Sequence, residues 1–162
     1  MQLVFQDEMP YNHCWGCGTN NVHGLQLKSH WEGQEAVSIF YPQSHQMAGP
    51  EHILNGGIIA TIIDCHSINT AIADEYRLQK RPIGSAPIIW YVTASLKIDY
   101  LRPTPIDKPV ELRAKVETST AKKKIIKCNL YSQDQACAQA EVVAVRVPEE
   151  WHLYSQENQE VE

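Results

Sequence analysis

Asn55-Gly56-Gly57-Ile58-Ile59-Ala60-Thr61-Ile62-Ile63-Asp64-Cys65-His66-Ser67-Ile68-Asn69-Thr70-Ala71-Ile72-Ala73-Asp74-Glu75-Tyr76 is the stretch that decides the fold. After the two opening glycines it holds no Gly or Pro, so Gly56 to about Tyr76 reads as one long helix. At 100° per residue, Ile58, Ile59, Ile62, Ile63, Cys65, Ile68, Ile72 and Ala73 share one apolar sector. That sector spans more than half the circumference, so other elements must nearly encircle the helix. The opposite sector carries Ala60, Asp64, Ser67 and Ala71. His66 and Asn69 fall inside the apolar sector and need partners if buried.

Upstream, residues 1–24 are irregular and turn-rich, with Cys14-Trp15-Gly16-Cys17-Gly18 among them. Leu25-Gln26-Leu27-Lys28 and Ala36-Val37-Ser38-Ile39-Phe40 read as short strands. Downstream, residues 88–101 are β-branched and aromatic, with Val92, Ala94, Leu96 and Ile98 on one parity. Val110–Glu117, Lys124–Ser132 and Ala136–Val147 follow as strands, joined by the hairpin connections Glu117-Thr118-Ser119-Thr120 and Gln133-Asp134-Gln135. Strands on both sides of one buried helix predict an α+β fold: an antiparallel sheet of five or six strands wrapped around the helix.

The 162 residues suffice for one domain, expected over 1–148, with an acidic tail over 149–162. The tail holds five Glu and no Lys or Arg, so the net charge of −5 resides there and the body is neutral. A neutral body argues against nonspecific nucleic-acid binding. The run Ile58–Ile63 stops at Asp64, too short for a membrane span. Met1 is followed by Gln2, Asp7 and Glu8 rather than a basic and then hydrophobic stretch, so a cytoplasmic location is expected. The odd set Cys14, Cys17, Cys65, Cys128 and Cys137 then reads as reduced thiols.

Asn55-Gly56-Gly57 opening a helix is the sharpest chemical signal. The first helical N–H groups lack intrahelical acceptors and sit at the positive end of the dipole, where an oxyanion can be held. Asn55 also suits a plain N-cap, with the glycines allowing close packing. Asp64, mid-helix among small neighbours, is the second element; a charge that reaches solvent or a cation is its plainer explanation. Gly57 and Asp64 are seven residues apart, about 10 Å along the axis. One reacting carbon cannot lie within 3 Å of both, so a site that uses both must draw them from two copies of the chain.

Gly56-Gly57-Ile58-Ile59-Ala60-Thr61-Ile62-Ile63-Asp64, followed by Tyr91-Val92-Thr93-Ala94-Ser95-Leu96-Lys97-Ile98-Asp99-Tyr100-Leu101-Arg102-Pro103, resembles the hotdog-fold acyl-CoA thioesterases, of the phenylacetyl-CoA-type branch of the thioesterase superfamily. Cys14-Trp15-Gly16-Cys17-Gly18 with Asn20-Asn21-Val22-His23-Gly24-Leu25 resembles an N-terminal segment of some members. The resemblance covers roughly residues 12–147. It implies Asp64 as nucleophile or as general base for a water, Gly56 with Gly57 as oxyanion hole, and Thr93 as a hydroxyl that places the water or acyl group. Asn55 stands where the family commonly has His, and Gly49 where it often has Asn or Gln. Asn55 can hydrogen-bond but cannot titrate near neutrality.

The expected activity is hydrolysis of an acyl-CoA thioester in a homodimer, with a dimer of dimers open, no cofactor beyond the coenzyme A of the substrate, and no nucleic-acid or membrane partner. His52, Ser67 and Arg102 are candidate substrate-binding residues. Lys97 and the run Lys122-Lys123-Lys124 are further candidates for the coenzyme A phosphates; edge protection is the plainer role of the run. Trp90, Tyr91 and Tyr100 are candidate acyl-pocket residues. The alternative is a hotdog protein that binds an acyl group or acyl-CoA without hydrolysing it, which Asn55 and Gly49 favour; a dehydratase ranks lower. Cys14-x-x-Cys17 near His13 and His23 resembles half a zinc site, but no second such pair follows. A turn with packed thiols, without metal, is the expectation.

Overall fold

In the computed structural model, which describes residues 1–151, the quoted stretch forms α2 (Gly56–Leu78). The side chain of Asn55 starts it, accepting hydrogen bonds from the N–H groups of Gly57 (2.7 Å) and Ile58 (3.3 Å). The helix ends where the chain reverses at Lys80, a non-glycine residue with φ 53°. By length and composition α2 could cross a membrane, but 61% of its most apolar window is buried within the protein.

The sheet wraps it with β1 (His30–Glu32), β2 (Glu35–Phe40), β3 (Tyr91–Tyr100), β4 (Val110–Ser119), β5 (Lys123–Ser132) and β6 (Gln135–Arg146). All pairings are antiparallel, in the order β1-β2-β4-β5-β6-β3. This is the hotdog arrangement. The inner face alternates Leu112, Ala114 on β4, Ile126, Cys128, Leu130 on β5, and Ala138, Ala140, Val142, Ala144 on β6, all buried. The β6 alanines let α2 approach, and Ile59, Ile62, Ile63, Ile72 and Tyr76 fill the space between the layers. Gln133 (φ 51°) and Asp134 (φ 62°) make the two-residue turn between β5 and β6, as a primed hairpin turn demands.

Several sequence expectations need correction. Residues 25–28 are not a strand. Gln26 takes φ 55°, and Leu25 and Leu27 instead bond through their N–H groups to the carbonyls of Trp15 and Gly16. Residues 1–24 include a one-turn helix, α1 (Phe5–Glu8), whose Phe5 is fully buried. The β4–β5 hairpin turns after Ser119, later than predicted. The acidic tail from residue 152 onward lies outside the described residues.

The side of α2 predicted to be open is also corrected. Ser67 and Ala71 are completely buried. The partly open stripe is Gly57, Ala60, Thr61, Asp64 and Ile68, spaced by three and four residues along one line of the helix. The two polar residues of the apolar sector have partners. His66 is buried, with Nε2 donating to the Ala36 carbonyl (3.0 Å), which leaves Nδ1 to accept from the Ser29 hydroxyl (2.8 Å). Burial holds its pKa down at about 4, so the ring is neutral near pH 7. The Asn69 amide donates to the Cys65 carbonyl (2.8 Å) and to the Cys17 sulfur (3.3 Å).

Candidate active site

The open stripe of α2 runs beside β3, the edge strand of the sheet. A bulge between Thr93 and Ser95 sets the side-chain directions there. Thr93 lies opposite Ala144 and Leu96 opposite Val142, both inner-face residues of β6. Before the bulge the odd residues therefore face the helix; after it the even ones do. The single parity expected for Val92, Ala94, Leu96 and Ile98 is broken at that point. As a result Thr93 Oγ1 donates to Asp64 Oδ1 at 2.5 Å. Burial raises the Asp64 pKa above the ordinary carboxylate value; the Thr93 hydroxyl pulls it down, and the negative charge of Cys14 adds to the rise.

The start of α2 is a second locus. Asn55 already holds the Gly57 N–H, so Gly57 is not a free oxyanion donor. The N–H of Gly56, the first helical residue, has no intrahelical acceptor. Tyr100 closes the strand side, its hydroxyl donating to the Gly56 carbonyl at 2.7 Å. A cavity of about 490 Å³ opens on the other side, lined by His23, His45, Gln46, Asn55 and Ile58 among others. His23, which the sequence set near the Cys14-x-x-Cys17 turn, and His45, which sits in no periodic segment, are brought to the helix start by loop packing alone.

Asp64 and Thr93 are thus brought together in one chain, and Asn55, Gly56, Gly57 and Tyr100 at a separate place. Eight residues divide Gly56 from Asp64, about 12 Å of helix. The remaining candidates scatter. His52 is exposed in the loop before the helix. Arg102 is exposed and donates to Gln135 at 2.6 Å. Ser67, expected to bind substrate, is buried against the sheet because it lies 60° around the helix from Asp64. Lys124 is fully buried and pairs with Asp74 (2.8 Å) and Glu75 (3.1 Å), so it cannot serve a phosphate; Lys122 and Lys123 are exposed. Trp90 and Tyr91 line an apolar cavity of about 280 Å³ with Tyr11, Cys14 and Val92, far along β3 from Tyr100.

The outer edge of β3 pairs with nothing among the described residues, although the strand is ten residues long. Its inward-directed Leu96 and Tyr100 are 37% and 53% exposed. Apolar inner-face residues at a bare sheet edge form a surface suited to a further layer of protein.

No protein-family model and no curated protein matches the chain. Solved structures do. A thioesterase superfamily protein from Shewanella loihica PV-4 is 33% identical, with a TM-score of 0.65 over 85% of this chain and 96% of its own. The PaaI protein of the E. coli phenylacetic acid degradation operon is 14% identical, with a TM-score of 0.62 over 76% of this chain and 81% of its own. A thioesterase from Haemophilus influenzae is 13% identical, with a TM-score of 0.64 over 81% and 85%. These last two likenesses concern the fold alone.

Proposed function

The chain belongs to the thioesterase superfamily, and on that footing we propose that it hydrolyses an acyl-CoA thioester to the free acid and coenzyme A in a site shared between two copies. The observation that carries this reading is the Thr93–Asp64 hydrogen bond on the open stripe of an otherwise buried helix. A carboxylate there costs desolvation that packing alone does not require. Held by one hydroxyl, it keeps an oxygen for chemistry.

Asp64 of one copy either attacks the thioester carbonyl, giving an anhydride that water then opens, or takes a proton from the attacking water. The carbonyl oxygen becomes an oxyanion, and the Gly56 N–H at the dipole end of the partner helix faces it. The carbon–sulfur bond breaks and the thiolate of coenzyme A leaves, taking a proton. The second copy docks along β3, covering Leu96 and Tyr100, with the two α2 helices antiparallel. Such a twofold arrangement sets the start of one helix beside the middle of the other. Arg102, His52, Lys122 and Lys123 are the exposed candidates for the coenzyme A phosphates. The proposed location is the cytoplasm, which the five free cysteines support.

The test is a panel of acyl-CoAs, short, long and aromatic, read by free-thiol release with wild type and Asp64→Asn. Wild type should turn over at least one class. Asp64→Asn should fall by at least 100-fold with the oligomer intact. Full turnover by Asp64→Asn would remove Asp64 from the mechanism.

One observation favours a second reading, a protein that binds acyl-CoA without hydrolysing it: the Asn55 side chain is committed to capping Gly57 and Ile58 and has no titratable group to offer. Saturable binding without thiol release across the panel would establish it.

A further inference from the structure

We propose that Cys14, Cys17 and Cys65 form a zinc site, three thiolates on one Zn²⁺, which fastens the N-terminal segment to α2 beside Asp64. The expectation of packed thiols rested on the lack of a second close-spaced cysteine pair. The third sulfur instead comes from the helix, 48 residues beyond Cys17. The three Sγ atoms lie within 4.8 Å of one another, with Cys14 and Cys65 at 3.6 Å. Ligands on a tetrahedral zinc ion, each at about 2.3 Å, stand about 3.8 Å apart. The Cys14–Cys65 pair is therefore at ligand spacing before any ion enters, and Cys17 lies within about 1 Å of that spacing.

The surroundings are built for charged sulfur. The side-chain amides of Asn69 (3.3 Å) and Asn12 (3.9 Å) point at the Cys17 sulfur. Two side-chain amides directed at one sulfur suit a thiolate better than a thiol.

Two glycines make the approach possible. A Cβ on Gly16 would lie 2.3 Å from the Cys65 sulfur and 2.8 Å from Thr61 Cγ2. One on Gly18 would lie 2.5 Å from both the Cys14 nitrogen and the Asn12 oxygen. The chain from 14 to 18 is thus pressed against α2 and coiled on itself, Gly18 N–H bonding the Cys14 carbonyl at 2.7 Å. Cys17 and Cys65 are buried; Cys14 is exposed at the mouth of the apolar cavity, which gives an ion a way in. No His, Asp or Glu among the described residues completes the cluster. The fourth position falls to water. Binding displaces the thiol protons of the three cysteines, and no electrons are transferred.

The test uses the full chain, expressed with zinc and purified under reducing conditions without chelator. Metal analysis should find about one zinc per chain, falling at least tenfold in Cys14→Ser, Cys17→Ser and Cys65→Ser but not in Cys137→Ser. Because a variant can fail to fold, the wild type is also stripped, reduced and titrated anaerobically with Co²⁺. A thiolate-to-cobalt charge-transfer band saturating at one equivalent, with the visible bands of a tetrahedral ion, supports the site. Zinc below a tenth of an equivalent, or no charge-transfer band with all five thiols titrating as free, overturns it. None of these readouts depends on thioester hydrolysis.

Discussion

Gly56→Pro removes one N–H and little else, which makes it the sharpest probe of the shared site. Gly56 is the first helical residue, where proline is favoured because its missing N–H has no intrahelical partner. The preceding Asn55 sits at φ −59° and ψ 131°, a conformation a following proline allows. A Cβ on residue 56 would stand 3.6 Å from the Tyr100 ring, an ordinary contact. Folding stability should hold, while loss of an oxyanion donor costs about 10²–10³ in kcat, roughly 3–4 kcal/mol. The decisive step is to mix this variant with Asp64→Asn. If each cleft takes Asp64 from one copy and Gly56 from the other, the heterodimer has one cleft with both defects and one with neither. A heterodimer isolated through two different affinity tags should recover about half of wild-type turnover, and an equimolar exchanged mixture about a quarter. A pure heterodimer as inactive as its parents would show that both groups serve a cleft within one chain.

Thr93→Val keeps the shape of the side chain and removes the donor to Asp64; a hydrogen bond to a charged group is worth about 1.5–3 kcal/mol, so kcat should fall by roughly 10- to 100-fold. Unchanged kinetics would make that bond incidental. Leu96→Glu places a charge on the bare strand edge; light scattering should show the dimer replaced by monomer and turnover lost together. Lys124→Met removes the buried cation from Asp74 and Glu75, leaving them Arg77 and Arg146 at the rim, and should cost about 3 kcal/mol, a drop in Tm of roughly 10 °C by thermal unfolding. Glu75 adds a pH dependence. Burial pushes its pKa up, but Gln79, Lys124 and Arg146 together hold it below 4.5. Its stabilisation is present above the unfolded value of 4.5 and is lost as pH falls through the lower folded one, so urea midpoints should decline below pH 4.5, less steeply in Lys124→Met. Equal slopes in the two proteins would remove Lys124 from that account.

Most of the architecture was legible because it rests on local signals. Asn55, the glycine pair and the unbroken run to Tyr76 marked α2 to within two residues of its end, since capping and periodicity act over a few residues. The strands after Pro109 were similarly plain. What local pattern could not supply was orientation. Ser67 and Asp64 share a sector at 100° per residue, yet the sheet wraps far enough around α2 to bury one and leave the other partly open. Lys124 looked like one of three surface lysines, and only the pairing of β5 against α2 turns it inward to Asp74. The 25–28 segment alternates like a strand but is bent at Gln26, where the N-terminal segment rather than a strand takes up its N–H groups. Cys65 gave no sign of Cys14 and Cys17 because ligands joined across 48 residues leave no spacing to read.

The bulge at Thr93/Ser95 ties these findings to one cause. Without it, a strand that directs Leu96, Ile98 and Tyr100 inward would direct Thr93 outward, and Asp64 would lose its partner. With it, the same strand presents a hydroxyl to the middle of α2, a phenol to its start, and uncovered apolar side chains between. One chain therefore places its carboxylate and its free helix N–H on the same groove but about 12 Å apart, too far to act on one carbon. The uncovered side chains lie between those two places. In the proposed dimer a second copy that buries them brings its own helix alongside, antiparallel, so the surface proposed to take a partner is also the one along which that partner would complete the cleft.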